Sequence, residues 1–408
     1  MIEKNRHRPS RNQLLDNLKF FTRMPLIEYP GPHTVASLCL ETAPTSSAPH
    51  GTLASLFYPT NTSSTTTFPR SPWLPGPRGW YAKGYGDFVR APRWFSGGPM
   101  QWVMGAFTMP AVRGGEVGMT GLLPVVVLSH GLGGCQTTYS TLCGSLASRG
   151  FVVLSLEHRD RSAAASARSN YTERIDYQHP STKESEALAM RKSQLEQRVQ
   201  EVYDAFDLLR RLNEGGEVPN LLGNPLPDFK TRLDLDSATL VGHSFGGATA
   251  LKVLQQPNHP YAAAVILDPW MFALPAREPI TTPLLSIQCE QFHWPANLTA
   301  FREIWNAPVS SAMNRFGVVR GTKHQDISDV PSLVSGALKV FTGGEGNVSA
   351  RVVHATYDSV VSRFLKDVLG GRNTMAAGVE VQDVDTAVYV QGDGAFEVLD
   401  RFMEGKKK

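Results

Sequence analysis

The sequence predicts an α/β protein: a mainly parallel central sheet with helices on both faces and loop insertions. Three observations lead there. From Leu122 onward, short β-branched runs alternate with helical stretches. One of those stretches is long and amphipathic. And a glycine-flanked serine, in "LVGHSFGGATAL", Leu240 to Leu251, sits where a strand run gives way to a helix run.

Taken in order, residues 1–30 read as a flexible arm with a basic start, 31–370 as a catalytic body, and 371–408 as a C-terminal extension. "FTRMPLIEYPGPHTVASLCLE" leads into a first strand. "GTLASLFYPTN", 51–61, alternates weakly and closes in turn residues, as a second strand would. "PRSPWLPGPRGWYAKGYG" is too rich in Pro and Gly to predict a regular element. "APRWFSGGPMQWVMGAFTMPAV", 91–112, is dense in aromatic residues and methionine. Its composition favours a packed flap over the core, with a lipid-facing surface or substrate wall as the alternative.

Beyond Leu122, "LPVVVLSHG" and "GFVVLSLEH" are apolar throughout, with a helix expected between them over "TYSTLCGSLASR". Leu195, Val199, Val202, Phe206, Leu209 and Leu212 recur at about 3.6 residues, opposite a charged face, which predicts an amphipathic helix. "DSATLVGHS", "AAAVILDP", "TTPLLSIQCE" and "RFGVVRGTKH" continue the series of strands, with a helix over "GGATALKVLQQ". Strands without a polar face belong in a parallel sheet covered on both sides. The polar stretch 161–190 reads as an irregular insertion, suited to a lid, a binding loop or plain surface.

Composition removes several function classes. Lys plus Arg number 40 against 37 Asp plus Glu, a net charge of +3, which is too small to build a field for nucleic acid. Cys39, Cys135, Cys143 and Cys289 have neither metal-ligand spacing nor disulfide density, so free thiols in a reducing compartment are expected. Asn61, Asn297 and Asn347 begin Asn-x-Ser/Thr matches that carry no weight without secretion. No apolar h-region follows the basic residues of the first segment and no stretch reaches about 18 apolar residues, so neither a secretory signal nor a transmembrane helix is expected. The expected location is cytoplasmic, with peripheral membrane contact left open. No metal or cofactor is expected, because His-Glu-x-x-His, Cys-x-x-Cys, P-loop and dinucleotide fingerprints are missing. Oligomeric state is not legible.

Gly242-His243-Ser244-Phe245-Gly246 is G-x-S-x-G in the strand-to-helix context that the motif requires. Gly242 and Gly246 permit a sharp turn with Ser244 at its apex as the nucleophile. The orienting acid should end a later strand, where ligands of open α/β sheets bind. Asp268, closing "AAAVILD", is preferred over Glu290, closing "LLSIQCE". The base should follow the acid. Of His293, His324 and His354, His324 is favoured, since it follows a strand and opens the loop "QDISD". His293 lies too close behind the Glu290 strand, and His354 falls within a helical pattern. His243 should point away from the serine, as a packing or hydrogen-bonding residue. Negative charge on a tetrahedral intermediate needs backbone donors, expected from Phe245 N–H and from Leu132 N–H in "LSHGLGG".

"VLSHGLGG", "LEHRDRSA", "GHSFGGATA", "LDPWMF" and "GTKHQDISD" resemble the corresponding blocks of the lipoprotein-associated and intracellular type II platelet-activating factor acetylhydrolases. The resemblance runs from about Leu56 to about Phe364. It implies an α/β-hydrolase fold, nucleophile Ser244, acid Asp268, base His324 and oxyanion donors Leu132 and Phe245. It further implies a 1-alkyl-2-acetylglycerophosphocholine esterase, a calcium-independent phospholipase A2 that removes the short or oxidised sn-2 acyl group of such phospholipids. Transient contact with a lipid interface goes with that activity, and the segment Trp94 to Met109 could supply it. A general short-chain carboxylesterase and a non-catalytic binding scaffold are the alternatives. In the block Glu157 to Ala163 the residues themselves suggest loops fixed by buried ion pairs rather than chemistry. The insertion after Ser162 and the tail after Gly370 depart from the family pattern and leave acyl-chain length and compartment open.

Overall fold

A computed structural model describes residues 24–63, 69–274, 278–306, 313–333 and 346–405; most of the expected N-terminal arm lies outside them. Its strands are β1 (Met24–Pro25), β2 (Thr34–Glu41), β3 (Leu53–Thr60), β4 (Arg70–Pro72), β5 (Phe107–Arg113), β6 (Leu123–Ser129), β7 (Val152–Leu156), β8 (Ala165–Arg168), β9 (Glu173–Asp176), β10 (Leu233–His243), β11 (Ala263–Leu267), β12 (Leu284–Cys289), β13 (Arg315–Val319) and β14 (Tyr389–Gln391). The main sheet runs in the order β1-β5-β2-β3-β7-β6-β10-β11-β12-β13-β14, with β4 also paired to β5. Its centre, β7-β6-β10-β11-β12-β13, is parallel throughout. These are the β-branched runs of the sequence, and antiparallel β3 and β14 flank them.

Among the described residues the helices of eight residues or more are α1 (Arg78–Phe88), α2 (Gly98–Gly105), α3 (Ser140–Ser148), α4 (Glu184–Glu214), α5 (Phe245–Leu254), α6 (Pro295–Trp305), α7 (Ala350–Leu369) and α8 (Asp393–Gly405). Side chains on a strand alternate between faces, so each central strand feeds two cores. In β6, Val125 and Val127 join the core beneath α4, α5 and α6, while Val126 and Leu128 join the core beneath α3 and α7.

Tertiary packing overrides local composition in four places. The Pro/Gly-rich stretch is not irregular throughout: it holds β4 and most of α1, whose glycines allow close approach. A Cβ on Gly84 would lie 2.2 Å from the Ala164 carbonyl oxygen, and one on Gly86 2.2 Å from Ser96 Cβ. Segment 91–112 is not simply a packed flap. Phe107, Met109 and Ala111 are buried, but Trp94 and Trp102 stand 76% and 52% exposed. The 161–190 insertion holds an antiparallel β8–β9 hairpin, with Ala163, Ala164, Ala165 and Ala167 buried, and α4 already begins at Glu184. Finally, the charged face of α4 is not all solvated: Arg191, Gln194, Arg198, Glu201 and Asp204 are buried beside the apolar stripe.

Both ends of the described chain are tied to the sheet. Met24 and Pro25 pair with β5, β14 closes the far edge, and α8 buries Ala395, Val398 and Leu399. Among the described residues no helix is long and apolar enough to cross a membrane.

Candidate active site

Three loops at the carboxyl ends of β10, β11 and β13 converge. Ser244 follows β10 directly with φ 57° and ψ −116°, a region a β-carbon residue enters only under strain. Glycines make this turn possible. A Cβ on Gly242 would sit 2.2 Å from the Gly246 carbonyl oxygen, and one on Gly246 2.0 Å from that of Ser129. Backbone bonds lock it: Ser244 N donates to the Leu267 carbonyl at 2.9 Å, and Trp270 N to the Ser244 carbonyl at 3.0 Å. Asp268 follows β11, buried, and also has positive φ, at 45°.

His324 lies between them. Its Nε2 is 2.9 Å from Ser244 Oγ, and its Nδ1 is 3.1 Å from Asp268 Oδ2. An ionised carboxylate can only accept, so Nδ1 carries the proton and Nε2 faces the hydroxyl as acceptor. The second carboxylate oxygen, Oδ1, accepts Cys289 N–H at 2.6 Å. Burial pushes the Asp268 carboxyl up, but the hydrogen bond and charge of His324, with His293 and His243 behind it, outweigh burial and leave it below the ordinary carboxylate value. Among the described residues a ring nitrogen of His243, a carboxylate oxygen of Asp268 and a ring nitrogen of His324 lie within 4.8 Å of one another.

The other candidates are engaged elsewhere. Glu290 accepts Gly321 N–H at 2.6 Å, His293 Nδ1 lies 3.3 Å from Asn297 Nδ2, and His354 is buried inside α7. His243 has its Nδ1 2.6 Å from the Tyr139 hydroxyl, and its ring lies 4.5 Å from that of His324. Burial, then the charge of His324, lowers the His243 imidazole to about 3, so it is neutral.

The loop 130–134 crosses the serine closely enough that a Cβ on Gly131 would lie 3.0 Å from Ser244 Cβ. Its Gly131, Gly133 and Gly134 N–H groups donate to Tyr139 Oη, the Ser162 carbonyl and the Gly131 carbonyl. Among the described residues the Leu132 N–H meets no such acceptor. Phe245 opens α5, and the first N–H groups of a helix have no partner inside it. Beside this loop lies a cavity of about 370 Å³, walled mainly by apolar side chains that include Phe88, Trp94, Met104 and Leu132, with Gln325 at the His324 end.

Several contributors escape the sequence reading. Phe292 stacks face to face on His324, with ring centroids 3.7 Å apart at 7°. Asp329 anchors the base loop: it accepts Ser140 N–H at 2.9 Å and Thr141 N–H at 3.0 Å, at the start of α3, and Trp73 Nε1–H at 2.9 Å. The block after β7 does form buried ion pairs, Arg159 with Glu41 at 2.7 Å and Asp160 with Arg198 at 2.9 Å, while His158, kept neutral by burial, lies 2.6 Å from Glu201. The one sequence signal for the partners Arg198 and Glu201 was polar residues at helical spacing next to the apolar stripe of α4.

Residues 18–386 match the model of a family described as platelet-activating factor acetylhydrolase, isoform II. The chain belongs to this family. A platelet-activating factor acetylhydrolase of Gallus gallus is 29% identical over 327 residues, 76% of this chain and 75% of that protein. The enzyme of the same name from Bos taurus is 27% identical over 331 residues, 78% and 72% of the two chains. A putative phospholipase A2 of Schizosaccharomyces pombe is 27% identical over 55% of this chain and 57% of its own length. Among solved structures, a ferulic acid esterase from Streptomyces cinnamoneus superposes with TM-score 0.64 at 20% identity, over 90% of this chain and 99% of that one, a likeness of fold. With the mainly parallel, helix-covered sheet, it identifies an α/β-hydrolase fold.

Proposed function

We propose that Ser244, His324 and Asp268 hydrolyse the short or oxidised sn-2 acyl ester of phospholipids like platelet-activating factor, through an acyl-serine intermediate. The observation that carries this reading is the His324 ring, within hydrogen-bond reach of Ser244 Oγ on one side and Asp268 Oδ2 on the other. Neutral His324 takes the serine proton as Oγ attacks the ester carbonyl, and Asp268 stabilises the imidazolium that forms. The tetrahedral oxygen is received by Leu132 and Phe245 N–H. The imidazolium returns its proton to the leaving lysophospholipid oxygen, and a water activated by the same histidine releases the acid. The chain is a carboxylic ester hydrolase of its family, and the apolar cavity beside Leu132 suits a lipid chain better than a soluble alcohol.

Two experiments test this. A fluorophosphonate should label the wild-type protein and not Ser244→Ala; an unlabelled wild type sinks the enzyme reading. Turnover of a short sn-2 phosphatidylcholine should exceed that of p-nitrophenyl acetate and rise at micelles. Equal turnover with no gain at an interface favours a general carboxylesterase. Exposed Trp94, in the cavity wall, and exposed Trp102, in α2, support transient contact with a lipid surface. Replacing both with serine should weaken sedimentation with phosphatidylcholine vesicles, and undiminished binding argues against that contact.

A further inference from the structure

We propose that Arg198 is a positioning residue for the oxyanion site, holding the loop that bears Leu132 and the turn that bears Phe245 as one unit. This rests on the catalytic reading above. Arg198 projects from the middle of α4 and is fully buried, as is its partner Asp160. The guanidinium makes four polar contacts. Its Nε donates to Asp160 Oδ2 at 2.9 Å and to Ser162 Oγ at 3.0 Å, one terminal nitrogen donates to Ser162 Oγ at 2.6 Å, and the other to the His130 carbonyl at 2.6 Å. Its central carbon also stands 4.5 Å from the centroid of the Phe245 ring, a cation–π distance.

These contacts meet the two backbone donors from behind. His130 lies two residues before Leu132, and the same loop is bonded to the 160–164 turn through Gly133 N to the Ser162 carbonyl at 2.8 Å and Ala164 N to the Gly134 carbonyl at 3.0 Å. The Phe245 ring is held between Arg198 and Trp270, the latter in edge contact at 5.6 Å. Each donor is thus on a segment with an Arg198 contact.

Stability alone gives little reason for such a pair. A buried ion pair is often no better than apolar residues of similar volume, since desolvation offsets the attraction. What the planar fork supplies is fixed directions: it addresses a carboxylate, a hydroxyl and a carbonyl together, which a lysine ammonium on a flexible stem cannot do.

The experiment compares Arg198→Lys, and separately Arg198→Met with Asp160→Asn, against the wild type. The double variant removes both buried charges and so avoids stranding one. Fluorophosphonate titration counts functional sites, and all rates are expressed per titrated site. For a short sn-2 phosphatidylcholine, kcat should fall about 30- to 300-fold with KM within about threefold, the scale of losing one oxyanion donor. A long-chain alkyl trifluoromethyl ketone, which forms a tetrahedral oxyanion on Ser244, should lose affinity by a similar factor. The corresponding ether analogue, which carries no carbonyl, should bind as before. A kcat per site within about threefold of wild type in either folded variant overturns the proposal. So does an equal loss of affinity for ketone and ether, which is the mark of a collapsed pocket. If the wild type is not labelled, the serine-esterase reading itself has failed, and that outcome is read before any variant is made.

Discussion

Asp268→Asn separates an orienting carboxylate from a neighbouring acid, and the structure sets the size of the effect. Asp268 Oδ1 accepts Cys289 N–H at 2.6 Å, which fixes where an asparagine carbonyl must go. Its NH2 then faces His324 Nδ1, drives the imidazole proton to Nε2, and leaves Ser244 without an acceptor. Turning the amide over to restore the tautomer sets its NH2 against Cys289 N–H, at a cost of about 1–3 kcal/mol. The imidazolium formed in the reaction also loses its counter-charge. At 3.1 Å and an effective dielectric near 20, that attraction is about 5 kcal/mol, of which the amide dipole recovers a part. Together the losses come to about 4–6 kcal/mol, roughly 10³- to 10⁴-fold in kcat/KM. The assay is hydrolysis of a short sn-2 phosphatidylcholine, with melting temperature as a check on the fold. Glu290→Gln is the control, expected within about threefold of wild type because Glu290 bonds Gly321 N–H instead. A folded Asp268→Asn that retains more than a tenth of wild-type activity would refute the reasoning.

Other outcomes follow from the same geometry. Gly246→Ala places a Cβ 2.0 Å from the Ser129 backbone oxygen in β6, so it should destabilise the protein by about 3 kcal/mol or more and abolish labelling. A urea midpoint near wild type would contradict this. His243, lowered to about 3 from an ordinary 6.5 by burial and then by His324, takes up its proton only on unfolding. Its contribution is therefore lost as pH falls below 6.5, by about 2 kcal/mol at pH 5. His243→Gln should show a correspondingly flatter stability profile over that window in urea titrations, and parallel profiles would count against the assignment. Asp329→Asn removes the charge that caps α3 and anchors the base loop, which predicts about 2 kcal/mol of destabilisation by calorimetry and a reduced kcat. An unchanged melting temperature would show that the anchor is dispensable.

The central sheet was legible because burial on both faces demands unbroken apolar strands, and β6, β7 and β10 to β13 have that pattern in the primary structure. The turn at Ser244 was legible for a local reason as well, since a Cβ at 242 or 246 would lie 2.0–2.2 Å from a backbone oxygen and only glycine fits. Elsewhere, local rules misled. Glycines that argue against a helix form α1, where they let Ala164 and Ser96 approach. Charged residues of α4 lie buried, because their partners His130, His158 and Asp160 come from strands and loops far along the chain.

The sequence by itself determined the central parallel strands and the family, and it proposed Ser244, Asp268 and His324 in that chain order, since each rests on residue types at short range or in chain order. Tertiary structure alone decided that Glu290 bonds a backbone amide while Asp268 meets His324, that Phe292 stacks on His324, and that Arg198 bonds the His130 carbonyl. It also exposed Trp94 and Trp102 where composition favoured burial. The physical reason is common to all of these. Hydrogen bonds, ring stacking and burial depend on distances between residues tens to hundreds of positions apart, and only the folded chain sets those distances.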